Sequence, residues 1–162
     1  MGIEIDGVLH PYYNTTGTET TIHEPYSYAS YQRDMARITA NLEDINYDYI
    51  CGIAKGGLIP AVHLCHITNT PLLSFNDDGI QLMQDRLTKI LMVDDIIDSG
   101  KTATRIERQF ERRFDWACLI WNAEQEVIPV AYGTRIERSA QPNWYDFWWE
   151  QHVPIVSQTY GD

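Results

Sequence analysis

Residues 89–102 read KILMVDDIIDSGKT, an apolar run that passes directly into a string of acidic and small polar residues. The run at positions 90–93 predicts a buried strand, because consecutive apolar residues suit a strand that is covered on both faces. Asp94 and Asp95 come immediately after this run, and a short polar turn then opens a helix at Thr102. A strand that leads through a turn into a helix is the repeating unit of parallel α/β sheets.

The same alternation of strands and helices continues on both sides of this segment. Further strands are predicted at residues 49–53, 71–75, 116–121 and 127–132, and helices at residues 27–42, 58–67 and 102–113. Residues 1–26 look irregular apart from a short strand near residues 3–5. Residues 76–88 begin with a turn signal and are predicted to be a mobile excursion. We therefore predict the α/β class, with a mainly parallel sheet flanked by helices, in a single domain over residues 1–162.

The bulk properties exclude several classes of function. The 162 residues carry a formal net charge of −11, which argues against a nucleic-acid duplex as the main partner. No apolar run approaches the ~20 residues of a membrane-spanning helix, and the first residues lack the features of a signal peptide. Cys51, Cys65 and Cys118 lie in apolar contexts without zinc-site spacing, which predicts reduced core residues. We expect a cytoplasmic protein that binds neither nucleic acid nor membrane.

The polar string after residue 93 has the composition of a phosphate and sugar site. Backbone N–H groups of a small-residue turn at a helix start bind phosphate, and Gly100 lets a ligand approach the backbone closely. Asp94 and Asp95 can accept sugar hydroxyls or hold Mg²⁺, directly or through water. Taken singly, the carboxylates can merely solvate a turn, and Ser99 can cap a helix. The contiguous string favours the ligand site.

Residues 93–102 resemble the phosphoribosyl pyrophosphate-binding signature of the type I phosphoribosyltransferases, in which two acidic residues flanked by aliphatic ones precede Asp-Ser-Gly-Lys-Thr. The resemblance is closest to the xanthine-guanine and hypoxanthine-guanine enzymes and extends over about residues 27–154. Residues 54–60 are similar to the pyrophosphate loop of this family. Residues 144–150 are similar to an aromatic and acidic segment in a small hood over the base.

This resemblance implies the type I phosphoribosyltransferase fold, with a core at about residues 27–132. The small C-terminal hood covers about residues 133–162, with or without the N-terminal segment. The implied activity is Mg²⁺-dependent transfer of the 5-phosphoribosyl group from phosphoribosyl pyrophosphate to a purine base, preferably a 6-oxopurine. This is a purine salvage reaction that yields a nucleoside monophosphate and pyrophosphate. The family commonly forms homodimers or homotetramers. Two alternatives stay open: a phosphoribosyltransferase for adenine or a pyrimidine, and a regulator that binds phosphoribosyl pyrophosphate without catalysis.

The resemblance also implies a role for each matching residue. The catalytic residues are Asp94, Asp95 and Asp98, and the metal-binding residues are Asp94, Asp95 and Glu150. The 5′-phosphate loop consists of Ser99, Gly100, Lys101 and Thr102, and the pyrophosphate loop of Ala54, Lys55, Gly56 and Gly57. The base contacts are Asn122, Trp144 and Tyr145. Among the catalytic residues, Asp98 is the general base or acid at purine N7. The family often has a cis peptide before the lysine of the pyrophosphate loop.

Simpler structural roles compete for three of these residues. Asp98 can cap the following helix, and Lys55 can be a surface residue of an ordinary turn. Trp144 can pack a small subdomain or an oligomer contact instead of stacking on a base.

Two features depart from the family pattern. Asn122 stands where the 6-oxopurine enzymes usually carry a lysine that donates to the 6-oxo group. An asparagine side chain both donates and accepts, so it suits an oxo or an amino group. The flexible lid, usually led by Ser-Tyr, here begins with Ser74 and Phe75, and only residues 76–88 follow before Lys89. A short lid puts the rate rather than the chemistry in question.

Overall fold

Four parallel strands form the main sheet of this computed structural model, which describes residues 22–150 in full and, before them, only the backbone of residues 3–5 and 8–10. The elements in chain order are β1 (Ile3–Ile5), β2 (Val8–His10), β3 (His23–Tyr26), α1 (Tyr28–Leu42), β4 (Tyr49–Gly52), α2 (Leu58–Thr68), α3 (Asp77–Gln84), β5 (Ile90–Ile97), α4 (Lys101–Phe110), β6 (Asp115–Asn122), β7 (Ala131–Ile136) and β8 (Trp144–Phe147), followed by a 3₁₀ turn at Trp148–Glu150.

The main sheet has the strand order β4-β5-β6-β7, and all neighbouring strands are parallel. The apolar run at residues 90–93 lies in β5, and all four of its side chains are buried. A continuous apolar run predicts an inner strand that is covered on both faces, and the observed burial agrees with this prediction. The predicted α/β class, with a mainly parallel sheet flanked by helices, is confirmed.

The helices bury one face each, in agreement with the spacing of their apolar residues. The buried residues of α1 include Tyr31, Met35, Ile38 and Leu42. The buried residues of α4 are Ala103, Ile106 and Phe110. Spacings of three and four residues place these side chains on one side of a helix, which is why the pattern predicts both elements. Among the residues that the structure describes, no helix combines the length and the apolar character needed to cross a bilayer.

β5 is longer than the apolar run that predicts it. The strand continues to Ile97, so Asp94 and Asp95 lie within it rather than after it. Asp94 and Ile96 both pair with residues of β6, which shows that the ladder continues through this polar part. The two carboxylates are therefore held by a regular strand and not by a turn.

Two other strands begin or extend differently from the prediction. The strand predicted at residues 127–132 begins at Ala131. The strand predicted at residues 71–75 is reduced to a single parallel bridge between Leu72 and Ile50. Each of the missing parts contains a proline, which has no backbone N–H for a sheet ladder.

The segment between the bridge and β5 contains a helix, α3, so the prediction of a mobile excursion over residues 76–88 is wrong for most of its length. The side chain of Asn76 caps this helix by accepting a hydrogen bond from the backbone N–H of Gly79 at 2.9 Å. Two aspartates in the first turn interact favourably with the helix dipole. Met83 in the last turn is fully buried. The residues that look like a turn signal are a helix start.

Arg112, just beyond α4, fastens the end of this segment to the larger fold. Its guanidinium donates hydrogen bonds to the carbonyl oxygens of Met83 at 3.2 Å and Thr88 at 2.9 Å. The same group lies over the ring of Phe114, 4.5 Å from the ring centroid. Hydrogen bonds from a charged donor are stronger than neutral ones, and the ring contact adds to them. The predicted lid at residues 74–88 is therefore anchored at its carboxyl-terminal end.

The chain divides into two compact units. The larger unit, Ala29–Gln141, contains the main sheet. The smaller unit consists of Met1–Tyr28 and Pro142–Asp162. In its described part, β3 and β8 pair in parallel, and the rings of Phe147 and Trp149 stack with centroids 4.7 Å apart. The hood expected from the family resemblance stays a prediction.

We expect Arg112→Gln to lower the free energy of unfolding by about 2 kcal/mol, because charge-assisted hydrogen bonds and a cation–ring contact are lost. Urea denaturation followed by tryptophan fluorescence measures this change. Arg113→Gln is the matched control, since the Arg113 side chain is 95% exposed. Such surface substitutions usually change stability by less than about 0.5 kcal/mol. Equal losses in the two variants would show that Arg112 does not anchor the segment.

Candidate active site

Two loops leave the main sheet at the carboxyl ends of neighbouring strands. Residues 54–57 follow β4, and residues 98–100 follow β5. The parallel register places Gly52 opposite Val93, so both loops emerge at the same edge, as predicted. In parallel α/β sheets this edge is where ligands bind.

The two glycines of the first loop pack directly against β5. A Cβ atom added to Gly56 would overlap the carboxylate of Asp95, 2.5 Å from its Cγ atom. A Cβ atom added to Gly57 would lie 2.7 Å from the carbonyl oxygen of Ile53 and 2.9 Å from Cα of Asp94. Neither position accepts a side chain unless the neighbouring groups move. The contact therefore holds the first loop against the carboxylate pair.

The first loop also carries a cation. The peptide between Ala54 and Lys55 is cis, as the family resemblance implies. Lys55 is exposed and forms no ion pair with an acidic side chain of residues 22–150. An ammonium group beside the backbone N–H groups of two glycines suits a polyanion.

Asp94 and Asp95 form a largely buried pair of like charges. Burial raises the pKa of Asp94, and the adjacent carboxylate of Asp95 raises it further. Burial also raises the pKa of Asp95. Each carboxylate accepts a hydrogen bond from the next backbone N–H, at 2.9 and 2.7 Å. Neither forms an ion pair with a basic side chain in the part of the chain that the structure describes. A bound cation would relieve this concentration of negative charge.

The carboxylate pair resembles the usual binding mode of Mg²⁺, in which the protein supplies only part of the metal ligands. Mg²⁺ is usually bound by one or two carboxylates and completes its octahedral shell with waters and substrate oxygens. Across residues 22–150, no group of three or more His, Cys, Asp or Glu side chains is arranged to hold a metal. The metal would therefore need oxygen atoms from water or from a substrate.

Gly100 forms the turn from β5 into α4. Its φ of +72° lies in the left-handed region, which favours glycine. A Cβ atom there would also lie 2.6 Å from Oε1 of Gln125. The backbone N–H groups of Lys101 and Thr102 lie at the start of α4, where no helical carbonyl can accept from them. The hydroxyl of Ser99 lies beside them, 3.4 Å from the amide nitrogen of Lys101. This arrangement is suited to a phosphate group.

Gln125 braces this turn, and the sequence carries no signal for it. Its Nε2 atom donates to the carbonyl oxygens of Asn122 at 3.1 Å and Val127 at 2.6 Å. Its Oε1 atom accepts from the backbone N–H of Val127 at 2.7 Å. The side chain closes its own loop and fills the space beside Gly100. A glutamine in a polar loop has this role only because the fold brings the turn next to it.

Asp98 forms an ion pair with Arg138, another residue that the sequence does not single out. Nε of Arg138 donates to Oδ1 of Asp98 at 3.0 Å. The side chains are 33% exposed for Asp98 and 22% exposed for Arg138. A half-buried pair of this kind is screened less than a surface pair. Asp98 does not cap α4, because the N-cap residue of that helix is Gly100 and no side chain forms a cap hydrogen bond there.

Asn122, predicted as a base contact, is hydrogen-bonded within the protein, and its role in base binding stays a prediction. The side chain is only 7% exposed. Its Nδ2 atom lies 3.0 Å from the carbonyl oxygen and 3.4 Å from Oδ1 of Asp98. Its Oδ1 atom accepts from the backbone N–H groups of Glu124 and Arg138, each at 3.2 Å. An amide that is occupied on both sides has little capacity left for a base.

Trp144, Tyr145 and Glu150 belong to the smaller unit. Trp144 is half-buried on β8, and Tyr145 beside it is 7% exposed. Oε2 of Glu150 accepts a hydrogen bond from the backbone N–H of Phe147 at 3.3 Å. The roles of Trp144 and Tyr145 in base binding, and of Glu150 in metal binding, stay predictions.

The three cysteines are free thiols, and Cys51 and Cys118 are buried in the core as predicted. Cys65 is half-buried. Burial raises the pKa of Cys51 to about 12 and raises that of Cys118 strongly. Thiols held in this protonated form are poor nucleophiles and poor metal ligands.

No known family model matches the chain. A curated relative, the xanthine-guanine phosphoribosyltransferase of Chromohalobacter salexigens, is 26% identical over 148 residues. The match covers 82% of this chain and 89% of the relative.

Two solved structures are similar to this one. The purine phosphoribosyltransferase from Pyrococcus horikoshii Ot3 has 26% sequence identity and a TM-score of 0.62, and the match covers 82% of this chain and 97% of that one. The xanthine-guanine-hypoxanthine phosphoribosyltransferase of Helicobacter pylori has 19% identity and a TM-score of 0.61, with 79% and 93% covered. At that identity the second likeness bears on the fold alone. The predicted resemblance to purine phosphoribosyltransferases, the predicted fold and the enzyme class are confirmed.

We expect Asp94→Asn to stabilise the metal-free protein at about pH 8 by about 1 kcal/mol, because the variant has no buried charge at this position. A carboxyl group whose pKa is raised on folding binds its proton more tightly in the folded state. The wild type therefore loses stability as pH rises above the ordinary aspartate value of about 4. Urea denaturation at about pH 5 and pH 8, without divalent metal, measures the difference.

The exposed Asp44 supplies the control, Asp44→Asn, which should leave stability nearly unchanged at both pH values. A gain for Asp94→Asn that is the same at both pH values would contradict the charge repulsion assigned to this pair.

Proposed function

We propose that this chain, similar in sequence and fold to purine phosphoribosyltransferases, transfers the 5-phosphoribosyl group from phosphoribosyl pyrophosphate to a purine base, with 6-oxopurines preferred. The products are a nucleoside monophosphate and pyrophosphate, as in purine salvage. The observation that carries this proposal is the packing of Gly56 and Gly57 against Asp94 and Asp95. It brings a cationic loop, two carboxylates and a helix N-terminus to one edge of the sheet.

The two loops bind the two phosphate ends of the substrate. The N–H groups at the start of α4, with the hydroxyls of Ser99 and Thr102 and the ammonium of Lys101, hold the 5′-phosphate. Lys55 and the backbone of the loop from Ala54 hold the pyrophosphate. Positive charge and N–H dipoles at that end stabilise the charge that develops on the leaving group. The geometry of Gly100 supports this division, and so does the ammonium of Lys55, which forms no ion pair with an acidic side chain of residues 22–150.

Asp94 and Asp95 bind the ribose hydroxyls and take part in binding Mg²⁺. Two largely buried carboxylates without a basic partner among the described residues fit a divalent cation that is also bound by substrate oxygens. When bound, Mg²⁺ supplies positive charge that neutralises the pyrophosphate oxygens. The carboxylates themselves stabilise positive charge at the ribose C1 in the oxocarbenium-like transition state.

Asp98 takes the proton from the base. The C1–O bond to pyrophosphate breaks, and the leaving group keeps the electron pair. Purine N9 forms the new bond to C1, while the proton on N7 passes to the carboxylate, so the purine ring ends neutral. Most of the rate enhancement comes from holding the three partners in line.

The remaining parts of this proposal rest on the family resemblance. By that resemblance, Trp144 and Tyr145 are base-binding residues, and Glu150 is a metal-binding residue. The protein is a cytoplasmic homodimer or homotetramer whose partners are phosphoribosyl pyrophosphate and a nucleobase, and it has no nucleic-acid or membrane partner.

We expect nucleotide to form when the protein is mixed with phosphoribosyl pyrophosphate, Mg²⁺ and guanine, xanthine or hypoxanthine. Chromatography measures the product, with adenine, uracil and orotate tested separately. Asp98→Asn should lower kcat by about 10²-fold or more, because the amide cannot take the proton. Removing Mg²⁺ with a chelator should abolish the product.

Asp44→Asn is the matched control, since it makes the same chemical change on an exposed residue of the larger unit. Product from adenine or a pyrimidine alone would retain the chemistry and overturn the base preference. Binding of phosphoribosyl pyrophosphate without product from any base would overturn the enzymatic function and favour a regulator.

A further inference from the structure

The carboxylate of Asp98 is held through one of its two oxygens. Both Nε of Arg138, at 3.0 Å, and Nδ2 of Asn122, at 3.4 Å, lie against Oδ1. In the part of the chain that the structure describes, no side chain or backbone N–H donates to Oδ2. One oxygen is thus fixed by the protein, while the other is left to accept a proton from a ligand.

Asn122 and Arg138 are also bonded to each other. The backbone N–H of Arg138 donates to Oδ1 of Asn122 at 3.2 Å, and Nδ2 of Asn122 donates to the carbonyl oxygen of Asp98 at 3.0 Å. The three residues form a closed ring of hydrogen bonds that we call the Asp98 clamp. Such a ring limits the rotation of the carboxylate, because turning it would break more than one bond at once.

We propose that Arg138 positions the Asp98 carboxylate on purine N7 and, from the same place, selects bases that carry an oxo group at position 6. This inference rests on the function proposed above. It assigns base selection to a residue of the loop after β7, whereas Asn122 at the end of β6 serves as a support.

The selection follows from the chemistry of the purine edge. N7 and the 6-substituent are neighbours on that edge, and the 6-substituent is an acceptor in guanine but a donor in adenine. A guanidinium group has donors only. In the complex that we propose, Asp98 accepts from N7 and the guanidinium bonded to Asp98 would stand beside the 6-substituent. An oxo group there accepts a hydrogen bond, while an amino group faces another donor and gains nothing.

A purely structural role for Arg138 makes different predictions. NH1 of Arg138 also donates to the carbonyl oxygen of Gln141 at 3.3 Å, so removing the side chain disturbs the local fold to some degree. Loss of fold lowers activity with every base equally. Loss of positioning lowers kcat more than it raises KM, and loss of selection changes the ratio between bases.

The test uses the full-length protein with Arg138→Gln, Arg138→Lys and Arg138→Ala. Arg138→Gln should lower kcat with hypoxanthine about 10²-fold, as expected for a misplaced catalytic group. The KM for phosphoribosyl pyrophosphate should stay within about threefold, because the proposal assigns Arg138 to the base and gives it no contact with that substrate. The ratio of kcat/KM for hypoxanthine to that for adenine should fall about tenfold.

Two further measurements separate positioning from folding. Arg138→Lys should recover part of the kcat, since it restores the charge but not the planar fork. Guanidinium ion added at a non-denaturing concentration should raise the activity of Arg138→Ala. Arg135→Gln is the matched control, because Arg135 is a 56% exposed arginine three residues earlier that pairs with Glu137. It should keep the wild-type kcat and base ratio.

Wild-type kcat and an unchanged base ratio in Arg138→Gln would overturn the inference while leaving the proposed function intact. So would an equal loss with all bases that neither lysine nor guanidinium ion relieves. A wild-type protein that makes nucleotide from no base would overturn the proposed function itself, and this inference with it.

Discussion

The site depends on the contact between a two-glycine loop and the polar half of β5. Gly56 and Gly57 bring the backbone of one loop against the strand that carries Asp94 and Asp95, at distances that leave no room for a Cβ atom. A side chain at either glycine would push the loop away from the carboxylates and separate the groups to which we assign the two phosphate ends of phosphoribosyl pyrophosphate. Gly56 lies against the Asp95 carboxylate itself, and burial is the largest cause of the raised pKa values of both aspartates. Close packing and unfavourable charge therefore occur together at this edge.

A buried pair of like charges destabilises the ligand-free protein but favours binding. Under the function proposed above, a cation and sugar hydroxyls would replace the lost water and return the free energy that desolvating the pair costs. The pair can hold this position because it lies on a regular strand, hydrogen-bonded to β6, where the backbone does not relax to let the charges separate. Functional groups held by strands are placed more accurately than groups on loops. The ligand thus completes an arrangement that the free protein leaves electrostatically unfavourable.

The sequence predicts those parts of the molecule whose signals are local. The apolar run of β5, the polar string after it and the small-residue loop after β4 are contiguous, and each has a direct physical meaning. The sheet class and the meeting of the loops at one edge follow from them. Other features escape prediction for identifiable reasons. Asn76 opens α3, but its side chain favours turns and helix starts alike. Arg112 and Gln125 bond to backbone groups that only the folded chain brings close.

The Asp98 clamp combines residues from the ends of three strands, which is why a single sequence position does not predict it. In the parallel register Ile97 lies opposite Trp121, and Trp121 lies opposite Arg135, so the ends of three strands meet in one row. The carboxylate comes from the end of β5, the amide from the end of β6, and the cation from the loop after β7. The inference drawn above assigns to Arg138, after β7, the place of the lysine that the resembled enzymes carry where Asn122 stands, at the end of β6. Such a replacement is feasible because the ends of neighbouring parallel strands lie at the same edge of the sheet. On the inference drawn above, Asn122 acts as a support, since its amide lies against the Asp98 carboxylate and accepts a hydrogen bond from the backbone N–H of Arg138.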